Sequence, residues 1–271
     1  MANLPRSRSG RSVREVACQV AREEGALLVD YFRRPREALG VKSKSRGNVV
    51  TEADLQGEKL ILKRLADEFP GWQVMAEESK AKVNDSPYTW IVDPLDGTNN
   101  FSFGLPYFCV TMAALHDREA EFGLVYDPLR EEMFWAERGG GAYLNGQPLS
   151  VSTKDDLVDS LVALDMGYDD ARGTEMLEFL RCLWPGVFSF RILGSGALAL
   201  AYVALGRLDA YMHRRLYPWD IAGGTLLVKE AGGAVTDWQG QPVSLQTQSI
   251  VAAGPGVHSL VMGRMTGFPS S

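Results

Sequence analysis

Trp90-Ile91-Val92-Asp93-Pro94-Leu95-Asp96-Gly97-Thr98-Asn99-Asn100-Phe101 is the stretch on which the reading of this chain turns. Residues 89–92 form a β-rich apolar run that ends abruptly at Asp93. A strand end is where backbone groups stop satisfying one another and side chains can converge on a ligand. Pro94 lacks a backbone donor and fixes its own φ, so it stiffens the bend between the two aspartates. Two carboxylates ~4 Å apart repel by roughly 4 kcal/mol at an effective dielectric near 20. A cation or a proton has to offset that. The nearby candidate ligands are all oxygens, with neither His nor Cys, which favours Mg²⁺ or Mn²⁺ over zinc. Either aspartate alone would read as an Asx turn; the pair after a buried strand reads as a ligand cluster. Gly97-Thr98 then forms a turn whose successive N–H groups can face an anion.

Working outward, Val13, Val16, Ala17, Val20, Leu27, Leu28, Tyr31 and Phe32 recur at helical spacing, and Pro35 stops that helix. Residues 36–48 are polar and read as a mobile loop. Thr51-Glu52-Ala53-Asp54 is a capping box opening a second helix, marked by Ile61, Leu65 and Phe69 and ended by Pro70-Gly71. A strand at 72–75 leads into Glu77-Glu78-Ser79 and a polar loop to about Pro87. Strands at 107–115, 122–126 and 132–136 complete a largely antiparallel sheet, and 138–141 and 144–148 are turn-rich. Beyond about residue 150, a strand at 161–165, helices at 174–183 and 195–206, and a strand at 209–212 follow. Pro218-Trp219-Asp220 opens a helix stopped by Gly232-Gly233, and strands at 234–236 and 249–253 close the chain. The sequence predicts one domain, 1–271, with halves of about 1–150 and 151–271: a metal-binding half and a substrate-side half.

The 271 residues are 45% hydrophobic and 23% charged, with a net charge of −6. No basic block or face is present, so direct nucleic-acid binding is not expected. Cys18, Cys109 and Cys182 are widely spaced without a CxxC pair, which predicts reduced, mostly buried thiols in a cytoplasmic protein. Arg6, Arg8, Arg11 and Arg14 read as a frayed basic leader, because Arg22, Glu23 and Glu24 interrupt the apolar stretch that a secretory signal needs. The longest apolar stretch, near 196–205, is too short for a membrane span.

The quoted stretch closely resembles the signature of the inositol monophosphatase family. Trp219-Asp220-Ile221-Ala222-Gly223-Gly224 running on to Glu230-Ala231-Gly232-Gly233, Glu77-Glu78-Ser79, and Val50-Thr51-Glu52-Ala53-Asp54 match further family motifs in the same order. The resemblance covers roughly residues 13–255. It implies an α-β-α-β-α layered sandwich (α/β, of α+β type), a homodimer, and Mg²⁺-dependent, lithium-sensitive hydrolysis of a small phosphorylated metabolite, by default inositol monophosphate. It implies that Glu77, Asp93, Asp96, Asp220 and the Leu95 carbonyl ligate two or three Mg²⁺ ions, with Mn²⁺ a possible substitute. Gly97 and Thr98 would hold phosphate, with Asp220 also on the substrate side. Asp54 and Thr98, with Glu77, would orient the attacking water. Lys44, with Lys42 the weaker candidate, would be the basic loop residue near the metals, and Glu78 would stand behind them. Asp54 and Asp220 each also fit a purely helix-capping role.

One position departs from the family pattern. Seven residues before Asp220, where many inositol phosphatases have an acid that binds substrate hydroxyls, this chain has His213, followed by Arg214 and Arg215. The run reads either as solvated surface or as cations for a second anionic group. The second option would suit a bisphosphate such as fructose 1,6-bisphosphate or 3'-phosphoadenosine 5'-phosphate; histidinol phosphate is a further option within the superfamily. Gly194-Ser195-Gly196 is expected to line the substrate pocket. A regulatory interaction protein that retains the fold is the alternative of a different class.

Overall fold

The computed structural model describes residues 4–79 and 85–265. Helix α1 (Val13–Phe32) starts at a capping box made by Ser12 and Glu15, and α2 (Glu52–Glu68) at one made by Thr51 and Asp54. Each box satisfies backbone donors that a first helical turn leaves open. The basic leader is not frayed. Arg8 N donates to the Glu68 carbonyl at 2.7 Å, while Ser9 Oγ and Arg11 Nη2 each reach the Glu68 carboxylate at 2.6 Å. The end of α2 thus holds the leader in place. Likewise the loop at 36–48 contains a two-stranded hairpin, β1 (Lys42–Ser45) with β2 (Asn48–Val50).

A seven-stranded sheet follows in the order β3 (Gln73–Ala76), β4 (Tyr88–Asp96), β5 (Cys109–His116), β6 (Glu119–Asp127), β7 (Glu132–Glu137), β8 (Gly141–Leu144) and β9 (Gln147–Pro148). β3 pairs in parallel with β4 and the remaining neighbours are antiparallel. β4 does not stop at Asp93. It continues through Asp96 with a register shift between the two aspartates, where Pro94 interrupts the ladder. The short helix α3 (Thr98–Ser102) follows at once. The turn-rich residues near 138–148 contain β8 and β9, and residues 80–84 of the expected polar loop lie outside the described residues.

A second sheet has the order β11-β10-β12-β14-β13, built from β10 (Leu161–Asp165), β11 (Ser189–Ile192), β12 (Ala210–Arg214), β13 (Ala234–Thr236) and β14 (Ser249–Ala253). Helix α4 (Asp170–Leu183) begins four residues before its expected start, because Asp169 caps the Ala171 and Arg172 amides. Helices α5 (Gly196–Ala204) and α6 (Pro218–Glu230) match their predicted sites, whereas β11 and the closing helix α7 (Pro255–Met265) were not expected. Of the three thiols expected to be mostly buried, Cys109 is buried, Cys18 is half-buried and Cys182 is exposed on α4.

Three apolar clusters define the layers. One joins α1 and α2 to the seven-stranded sheet, a second places α5 and α6 between the sheets, and a third packs α4 and α7 on the outer face of the five-stranded sheet. The result is the expected α-β-α-β-α sandwich. α6 approaches its sheet closely at Gly223, where a Cβ would lie 2.9 Å from Thr111 Oγ1 and 3.0 Å from the Leu124 carbonyl. Among the described residues no helix is long and apolar enough to cross a membrane.

Candidate functional site

β4 carries Asp93 and Asp96 to one edge of the middle layer, and the first turn of α6 brings Asp220 to meet them. One oxygen from each of the three lies within 4.8 Å of the others. Each carboxylate is also tied to the scaffold. Asp93 Oδ1 accepts from Leu95 N at 2.9 Å, and Asp220 Oδ2 from Tyr217 N at 2.7 Å. Asp96 Oδ2 accepts from Ser195 Oγ at 2.6 Å and Ala197 N at 2.8 Å, so it caps α5. These bonds fix the carboxylates in place.

The electrostatic cost is visible. Burial pushes the Asp93 carboxyl well above the usual range, and Glu77, Asp96 and Asp220 push it further. Burial also raises Asp220, with Asp96 adding to it, and lifts Asp96 to about 6. Such a cluster of buried and half-buried like charges calls for a cation. Lys44, on the β1–β2 hairpin, lies 3.0 Å from Glu77 Oε1 and also bonds Glu78. Glu77 is raised chiefly by burial, against the pull of Lys44. One ammonium cannot balance four carboxylates, and an all-oxygen donor set of this charge fits Mg²⁺ or Mn²⁺. Lys42, the weaker candidate, is exposed on β1.

Beside the trio, Thr98 Oγ1 lies 2.9 Å from Asp54 Oδ1 and 3.0 Å from the Leu95 carbonyl. Asp54 Oδ2 accepts from Thr51 N at 2.8 Å and Thr51 Oγ1 at 2.5 Å. Asp54 therefore caps α2 and partners Thr98 at once, and burial raises it to about 6. Gly97 sits at φ +98, and a Cβ there would lie 3.0 Å from the Tyr107 carbonyl. The turn before α3 thus requires glycine. Glu78 N donates to Glu58 Oε2 at 2.8 Å, so Glu78 is anchored to α2 behind Glu77.

A cavity of about 260 Å³ opens over these groups, lined among others by Glu77, Asp93, Gly97, Thr98, Asp220 and His213. Gly194 and Gly196 line it; Ser195 spends its hydroxyl on Asp96. His213 is not the cation its neighbours suggested. It is buried, burial lowers it to about 4, and Nδ1 has no hydrogen-bond partner among the described residues. Arg214 turns away from the cavity, pairing with Glu175 and stacking on Trp238. Arg215 reaches the rim and pairs with Asp169.

The structure adds residues that sequence reasoning missed. Asp165, at the end of β10, accepts from Leu193 N at 2.9 Å, Gly194 N at 2.7 Å and Tyr211 Oη at 2.9 Å. It stiffens the glycine loop that lines the cavity. Its place at a strand end, like that of Asp96, was the available signal. Tyr168 lines the wall, and Tyr217 stacks on Trp219 with ring centroids 5.0 Å apart.

The chain is similar to known proteins over nearly its whole length. The chain is 37% identical over 252 residues to the Nus factor SuhB of Escherichia coli K12, covering 92% of this chain and 94% of that one. It is 39% identical over 240 residues to an inositol-1-monophosphatase of Mesorhizobium japonicum, covering 88% and 90%. The crystal structure of the extragenic suppressor protein suhB from Bartonella henselae superposes with a TM-score of 0.90 at 36% identity, over 94% of this chain and 98% of that one. The sequence model of the inositol monophosphatase family matches residues 10–264. With the layered sandwich and the acidic edge of its middle layer, this chain belongs to the inositol monophosphatase family.

Proposed function

We propose that the chain is a Mg²⁺-dependent phosphomonoesterase acting on a small phosphorylated metabolite, with inositol monophosphate as the default substrate. The observation that carries this reading is the convergence of Asp93, Asp96 and Asp220 within 4.8 Å, each braced by the scaffold. Glu77, Asp93, Asp96, Asp220 and the Leu95 carbonyl would hold two or three Mg²⁺ ions. Bound Mg²⁺ would supply Lewis acidity, neutralising phosphate charge and easing deprotonation of water.

The remaining steps belong to this chain's own residues. Thr98 Oγ1 directs its proton to Asp54 and can accept one from a water with a lone pair, so the pair orients the attacking nucleophile. Gly97 lets the turn at the head of α3 come close to the phosphate. The neutral His213, with Asp165 and Tyr168, lines the cavity and would form its leaving-group side. His213 is uncharged, Arg214 is committed to Glu175 and Arg215 to Asp169, which favours a monophosphate over a bisphosphate.

A phosphate-release screen with Mg²⁺ across inositol phosphates, sugar bisphosphates, histidinol phosphate and adenosine bisphosphate tests the reading. Turnover of a monophosphate that falls at least about 100-fold in Asp93→Asn supports it. Equal turnover in the variant overturns it.

A homodimer is also proposed. Phe103 and Leu105 are 66% and 54% exposed, Phe188 and Ile192 68% and 55%. Asn100 Nδ2 bonds the Leu193 carbonyl at 2.7 Å, so the two exposed apolar pairs lie on adjoining segments that a second copy could cover. Sedimentation equilibrium should give twice the chain mass; a monomer at micromolar concentration would refute this. A second functional reading, an interaction protein that keeps the fold, is favoured by the name Nus factor borne by relatives 37% identical to this chain. Cells in which Asp93→Asn abolishes phosphate release but leaves the phenotype unchanged would favour it.

A further inference from the structure

Glu24 has no part in the chemistry described above, yet it occupies an unusual place. It lies in the middle of α1 on the face that packs against α2, and it is fully buried. Neither carboxylate oxygen has a hydrogen-bond partner among the described residues. Buried polar atoms of native proteins are almost always paired, and the exceptions call for a partner such as a buried water. Room for this carboxyl exists because residue 57 is glycine: a Cβ there would lie 2.0 Å from Glu24 Oε1 and 2.6 Å from its Cδ. Gly57 is one helical turn from Asp54 on α2, and the Glu24 carboxyl packed against it lies within electrostatic reach of the residue that partners Thr98.

Asp54 has a matching vacancy in its bonding. A carboxylate offers about four acceptor positions. Thr51 N, Thr51 Oγ1 and Thr98 Oγ1 take three. Glu24 on α1 and Glu77 and Glu78 after β3 act on Asp54 electrostatically, and all three are carboxyls. None can help Asp54 hold its charge unless one of them is protonated and donates. Glu24 is the group held in that state: burial, with Asp54 adding to it, lifts its carboxyl to about 8.

We propose that Glu24 is a positioning residue for Asp54, its uncharged carboxyl supplying the remaining hydrogen-bond donor through one buried water. The inference rests on the role given to Asp54 under the proposed function. It makes the α1–α2 seam, Glu24 with Gly57, part of the machinery that keeps Asp54 ionised and aimed at Thr98. A donor removed from behind a buried carboxylate raises its pKa.

The test uses the full chain with Mg²⁺ and three variants: Glu24→Gln, which keeps a neutral donor, and Glu24→Leu and Glu24→Met, which remove it at similar volume. Urea midpoints establish which apolar variants are folded. The direct readout is the titration of the ¹³C-labelled Asp54 carboxyl by NMR. Its midpoint should rise by about one unit in a folded apolar variant and stay near wild type in Glu24→Gln. The acid limb of kcat for phosphate release should move up by the same amount, with KM and the Mg²⁺ requirement unchanged. An Asp54 midpoint that is the same in wild type and in both folded apolar variants would overturn the proposal. The two readings fail separately. Wild-type protein that releases no phosphate sinks the phosphatase reading, whereas the Asp54 titration decides the Glu24 role without turnover.

Discussion

At the residue scale, the acidic groups of this chain differ in how they bear burial. Asp93, Asp96 and Asp220 are braced by backbone or hydroxyl donors, while Glu24 has none among the described residues. The consequence for Glu24 is a stability that depends on pH. Its carboxyl stands at about 8 in the folded chain against 4.5 when unperturbed. A raised folded value means the penalty is absent below the unfolded value and grows as pH rises towards the folded one. At pH 8 the penalty is on the order of 3–5 kcal/mol. Glu24→Leu should therefore gain little in urea midpoint at pH 5 and far more at pH 8; a gain independent of pH would contradict the account. The pair Asp93 and Asp96 was legible because the two are near in sequence after an apolar run, whereas Asp220 joined them only through the family resemblance of its Trp-Asp motif. Asp165 was not legible, since its donors come from residues 28, 29 and 46 positions away. Glu24 was half legible: it falls four residues after Val20 and four before Leu28, on the apolar stripe of α1, but only the tertiary structure shows Gly57 opposite.

At the scale of elements, the site is placed by the seat of α6 on the seven-stranded sheet. Gly223 lets the helix backbone approach Thr111, Met112 and Leu124, and its own carbonyl lies 2.6 Å from where a Cβ on Gly123 would be. Gly223→Ala must push α6 outward, and Asp220 sits three residues earlier on the same helix. The variant should lose about 1–3 kcal/mol of stability by overpacking. It should also bind Mg²⁺ more weakly, measured by calorimetry. Unchanged Mg²⁺ affinity at reduced stability would show that the seat of α6 does not position Asp220. Elements with a one-sided apolar pattern, such as α1 and α2, could be read directly. The β1–β2 hairpin could not, because β1 is exposed throughout and β2 is at most half-buried. β11 is a short edge strand with two exposed residues and no alternation, and α7 carries two interior glycines that weaken its helical signal.

At the scale of the whole molecule, five layers place a highly acidic edge where two sheets and two inner helices meet. The layering was legible from the order of strands and helices together with the family resemblance. The substrate side was not, because its walls come from β10, β12 and the segments before α4 and α6, whose side-chain directions depend on packing. Burial makes His213 neutral, and salt bridges commit both neighbouring arginines, so sequence alone suggested more positive charge than the cavity offers. The central claim is that the aspartate trio holds Mg²⁺ for phosphate-ester hydrolysis. The most direct measurement is the rate of phosphate release from inositol monophosphate as Mg²⁺ is titrated into metal-free wild type and Asp220→Asn. The account predicts no release without metal, saturable release in wild type, and a loss of about 100-fold or more in the variant. Release that persists in excess chelator, or an Asp220→Asn titration that overlays the wild type, would contradict it.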